Sequence, residues 1–176
     1  MKSIQFYRSF ILLVLTLCFC QKKQEPHAVK FYTGPMVVTK QLNTFYSDSA
    51  KIKLQVIAPI RSEYRSGDQE YAKGIRVNFF NDKQQSYAYL QANYAQYDKE
   101  TDIFLAIGNV IVENTEEAKK LETEELRWNR QAQKIYTDKF VRITTPKEII
   151  AGIGLEASQD FTYYKIKKVQ GTTILE

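Results

Sequence analysis

From about residue 36 onward the chain alternates apolar and polar positions at period two, the pattern of half-buried β-strands. Ile52, Leu54, Val56 and Ala58 alternate with Lys51, Lys53 and Gln55, and Pro59 is expected to end that strand. Ile75, Val77 and Phe79 share one parity within a strand expected over 71–80. A first strand is expected over 37–46, a strong late one over 163–169, and a short one over 172–175. Ser66-Gly67-Asp68, Asn81-Asp82-Lys83 and Pro146 supply turns, and Gly152-Ile153-Gly154 permits a bend or bulge inside the strand that follows Pro146. The one helix-like stretch, 116–125, is charge-rich, and it is read as strand after Lys119. Strands at this spacing without a helix mean an all-β sandwich, roll or open barrel.

The centre of the chain repeats itself. Leu90, Ala92, Ala95, Tyr97, Phe104, Ala106, Val110 and Val112 recur 31 residues later as Leu121, Thr123, Leu126, Trp128, Ile135, Thr137, Val141 and Ile143. A shorter echo begins at Leu155, 34 residues beyond Leu121. A fixed period of this size indicates stacked units, each leaving an apolar face for its neighbour to cover. In both full copies the parity slips once, between Ala92 and Ala95 and between Thr123 and Leu126. One extra residue is what a β-bulge inserts. Polar joins at 98–102 and 129–133 make each unit an antiparallel hairpin. The inward-facing set is therefore Ile52, Leu54, Val56, Ile75, Val77, Phe79, Leu90, Phe104, Val110, Leu126, Trp128 and Val141.

Composition narrows the function. Of 176 residues, 44% are hydrophobic, enough for a core. The net charge of +5 falls to +3 without residues 1–20, too mild for a nucleic-acid binder. The only cysteines, Cys18 and Cys20, close an apolar run from Phe10 that follows Lys2 and Arg8. That is the layout of an export signal, and a cysteine at its end is the acylation site of a bacterial lipoprotein. An uncleaved anchor helix from Ile4 is the alternative, with Arg8 against it. Residues 21–35, with Pro26 and the sole histidine, His27, read as a polar tether, and 36–176 as the domain.

Catalytic chemistry is hard to assemble. No cysteine and no histidine lies in the domain, which argues against thiol or serine–histidine catalysis and against a cysteine metal site. Glu122, Glu124 and Glu125 are read as solvated carboxylates facing lysines on the next strand. No enzyme, cofactor or metal is expected.

Residues 90–171 resemble the LptC family of lipopolysaccharide-export proteins and its OstA/LptA-type relatives. The carrying segments are Ala92-Asn93-Tyr94-Ala95-Gln96-Tyr97-Asp98, Gly108-Asn109-Val110, the run from Leu121 to Trp128, the run from Ile135 to Ile143, and Gly152-Ile153-Gly154-Leu155-Glu156-Ala157. The resemblance implies a single open, twisted antiparallel β-jelly roll of repeated hairpins. It implies anchoring at the periplasmic face of the inner membrane of a Gram-negative bacterium. There the protein would receive lipopolysaccharide from an LptBFG-type ABC transporter and pass it to an LptA-type bridge protein. The inward residues would then contact the lipid A acyl chains, each buried methylene contributing about 0.8 kcal/mol. The last strong strand, with Tyr164, Lys165, Ile166, Lys167 and Val169, is expected at a sheet edge and would receive the bridge protein by strand addition. A membrane-tethered adaptor with a packed, non-carrying core is the other reading.

Overall fold

Eleven strands follow one another in the computed structural model, which describes residues 32–159 and 161–174. They are β1 (Val37–Asp48), β2 (Lys51–Glu63), β3 (Gln69–Tyr71), β4 (Ile75–Phe80), β5 (Ser86–Ala92), β6 (Tyr94–Asp98), β7 (Ile103–Asn114), β8 (Lys119–Asn129), β9 (Lys134–Thr144), β10 (Glu148–Ser158) and β11 (Tyr164–Ile174). The leader, Cys18, Cys20 and His27 lie outside the described residues. No helix among the described residues is long and apolar enough to cross a membrane.

The topology is a meander, all antiparallel. β3 and β4 are two pieces of one interrupted strand, and β5 and β6 are two pieces of the next, broken at Asn93. Counted that way, each strand pairs with its predecessor and its successor, from β1 at one edge to β11 at the other. The fold is an all-β open roll, as expected, with two unclosed edges among the described residues.

A crease crosses the sheet at one level. It runs through Gln41 opposite Pro59, Gly74, Asn93, Gly108-Asn109, the register shift between Thr123 and Arg127, and Gly154. Each is a point where the ladder skips, and bulges bend a strand and sharpen its twist. Gly154 has φ +78°, a backbone region that favours glycine, and a Cβ on Gly152 would stand 2.4 Å from the Lys168 carbonyl oxygen. The parity slips in the two repeats fall on this crease.

Folding along the crease brings the two halves of the sheet together over one apolar interior. Phe79, in β4, meets Trp128, at the end of β8, edge to face with ring centroids 5.9 Å apart. Val110, Leu121, Val141, Ile143 and Leu155 are wholly buried.

Three expectations need correction. Pro59 does not end its strand, because β2 runs on to Glu63. Proline is tolerated there because the pairings of β4 stop at Ile57 and those of β3 begin at Ser62, so the ladder lapses beside it. The strands expected over 163–169 and 172–175 are one, β11, carried past Gly171 by a bulge opposite Ala151 and Gly152. The echo at Leu155 is out of register. Leu121 and Ile150 both stand beside Ile143 of β9, whereas Leu155 stands beside Thr137. The two full copies do superpose, since Leu90 and Leu121 flank Val112 on either side.

Candidate functional site

Among the described residues, the interior opens into a groove. This groove of about 360 Å³ lies between the inner faces of β2 and β4 and those of β6, β7 and β8, a volume in the range of small-ligand pockets. Leu54, Val56, Ile75, Val77, Phe104 and Trp128 form its apolar wall, with Tyr46, Tyr71 and Tyr97. The polar lining comes mostly from one set of turns and strand ends: Glu63, Gly67, Gln69, Lys99 and Arg130. These residues form the mouth.

The floor is aromatic. Tyr97 stacks on Phe104 at 4.5 Å, Phe104 on Trp128 at 5.6 Å, and Phe79 closes on Trp128 from the other layer. The Trp128 indole N–H donates to Gln159 Oε1 at 3.2 Å, which fixes the ring. Below the floor is a void of only about 20 Å³, shared by Leu90, Leu126, Phe104 and Trp128. Such a space holds about one water.

Two tyrosines of the lining anchor their hydroxyls on neighbouring polar side chains. The buried Tyr71 donates to Gln69 Oε1 at 2.7 Å, and burial raises its pKa to about 12. Tyr97 donates to Asp102 Oδ1 at 2.8 Å and is likewise held above its ordinary pKa, by burial first and then by that carboxylate. Both stay protonated donors at neutral pH.

The twelve positions expected to face inward divide. Leu54, Val56, Ile75, Val77, Phe104 and Trp128 line the groove, and Phe79 buttresses its floor. Leu90, Leu126, Val110 and Val141 are buried away from it, the last two completely. Ile52 is half-buried and lies outside the buried cluster. The inward set left out Tyr71, Phe161 and Tyr97, although Tyr97 holds the repeat position that matches Trp128. Phe161, 1% exposed, stacks on Tyr164 from a turn where no periodicity operates.

β11 is an edge strand, paired only with β10. Lys165, Lys167 and Val169 are exposed, whereas Tyr164 and Ile166 pack against the core. Glu124 is exposed, and Glu122 and Glu125 find partners other than lysines on the next strand. Glu122 bonds Lys120 of its own strand at 2.9 Å and stands opposite Arg142, and Glu125 pairs Arg127 at 2.6 Å. No cluster able to hold a metal occurs among the described residues.

Fold and groove together define a class, open antiparallel rolls with an apolar interior and free strand edges. The family model for lipopolysaccharide-assembly, LptC-related proteins matches residues 9–173, nearly the whole chain, and the chain belongs to that family. Membership implies involvement in lipopolysaccharide transport in the Gram-negative envelope, in a family of transport components rather than a known family of enzymes. No curated protein matches the chain.

Proposed function

We propose that this protein receives lipopolysaccharide from an inner-membrane LptBFG-type ABC transporter and passes it to an LptA-type bridge protein. Acyl chains would lie in the groove during transfer. The carrying observation is an apolar cavity of about 360 Å³ that reaches the surface instead of being filled by side chains. Solvent-facing apolar walls are costly unless they are used, and covering them with methylenes recovers about 25 cal/mol per Å². The two unclosed edges fit the same reading, because a free edge accepts a strand from a neighbouring roll. Anchoring at the inner membrane, through Cys18 or Cys20 or through an uncleaved leader, completes the proposal.

Site-specific photo-crosslinking during ATP hydrolysis by the transporter tests it. Probes at Leu54 and Phe104 should capture lipopolysaccharide, and probes at Lys53 and Asn78 should not. A probe at Lys165 should capture the bridge protein. A second reading, an adaptor with a packed core, is favoured by the completely buried residues at Val110, Val141 and Leu155. Silence at every inward position, with the bridge protein still captured at Lys165, would decide for the adaptor.

A further inference from the structure

We propose that the groove mouth is an anion subsite that holds the phosphate headgroup of an amphiphile whose chain lies in the groove. This rests on the reading that the groove carries acyl chains. Lys99 and Arg130 line the mouth from neighbouring turns. Lys99 is positioned rather than merely exposed. Its backbone N–H donates to Asp68 Oδ1 at 2.9 Å, and this bond, followed by one from Ser66, holds the Asp68 carboxyl below its usual range. The lysine stem lies across Gly67, where a Cβ would come within 3.1 Å of its Cγ. Gly67 has φ +90°. The Lys99 ammonium has no carboxylate partner among the described residues.

Arg130 is only loosely neutralised. Its guanidinium stands 3.5 Å from Asp102, a carboxylate that already accepts the Tyr97 hydroxyl. Glu63 is the one carboxylate in the lining, and it faces Arg61 at 3.5 Å. Arg61 Nε is buried with no hydrogen-bond partner among the described residues. The lining itself carries two cations, Lys99 and Arg130, against one carboxylate, Glu63, with Asp68 and Asp102 standing behind the cations, while the other walls are apolar. Charge-assisted bonds to a phosphate are roughly twice as strong as neutral ones, so this arrangement selects an anionic head on an apolar tail.

Trp128, the only tryptophan, lines the groove, so its fluorescence reports occupancy directly. Dodecyl phosphate and dodecyl maltoside, each below its micellar concentration, are titrated into the folded protein. Dodecyl phosphate should bind about tenfold more tightly, and Lys99→Gln should remove about threefold of that preference, the scale of an exposed charge pair. Lys99→Gln with Arg130→Gln should abolish the preference, and Glu63→Gln should increase it. Equal binding of the two amphiphiles, or a preference unchanged in the double variant, would overturn the subsite and leave the acyl-chain reading standing. No Trp128 response to either amphiphile would overturn that reading and this inference with it. Inorganic phosphate that competes as well as dodecyl phosphate would make the mouth a free-anion site and overturn the headgroup assignment.

Discussion

The groove and the packed region around Val110 and Val141 are built from the same alternating strands, yet one is open and the other solid. Around Val110, Leu121, Val141, Ile143 and Leu155, branched aliphatic side chains of similar size fill the interior completely. Around Leu54, Phe104 and Trp128, a stack of aromatic rings faces smaller aliphatic side chains across open space. Alternation decides which residues face in, but volume and layer separation decide whether they meet. Inward-facing and packed are therefore separate properties, and a carrier needs the first without the second.

Truncation should separate the two regions most sharply. Leu121→Ala and Ile143→Ala should each cost about 2–5 kcal/mol in urea unfolding, whereas Leu54→Ala at the half-buried groove wall should cost about 1 kcal/mol or less. Equal losses would mean that the groove is as tightly packed in solution as the rest.

Alkali should strike the groove next. Tyr71 has a folded pKa of about 12 against an ordinary value of 10.0. Above the ordinary value the unfolded chain loses the proton first, so stability present below pH 10 falls as pH rises to about 12. The loss should be on the order of 2 kcal/mol, and Tyr71→Phe should flatten it. Tyr89, Tyr94 and Tyr97 shift in the same direction and contribute to the residual slope.

A smaller change tests the floor. Gln159→Ala removes the acceptor of the Trp128 indole and should cost about 1 kcal/mol, with stronger uptake of an acyl probe as the ring loosens. Unchanged uptake would mean that stacking on Phe104 alone holds the floor. The smallest effect belongs to the outside of the sheet. Asp138→Asn breaks the exposed pair with Lys167, 2.9 Å apart, and should leave the melting temperature unchanged.

Much of this was legible in the sequence. The inward parity of the repeats and their bulges follow from period-two alternation and its slips. The groove was not legible. Leu54 and Val141 have the same parity and similar chemistry, and only the fold over the crease puts one against a cavity and the other against full neighbours. Pro59 misled because a missing N–H matters only where the ladder would use it. Lys99 carried no signal because its position depends on Gly67 and Asp68, 31 residues away in the case of the carboxylate bond.

Every strand pairs with the one that precedes it, once the broken strands are counted whole. Sheet formation then needs no meeting of distant segments, and each hairpin closes only a short loop. Contact order stays low for an all-β chain, which favours faster folding than in sandwiches with crossed connections. Growth of the sheet can proceed from one completed hairpin to the next, each exposing the template for its successor. The process has no topological stopping point, and among the described residues β11 still offers an unpaired ladder.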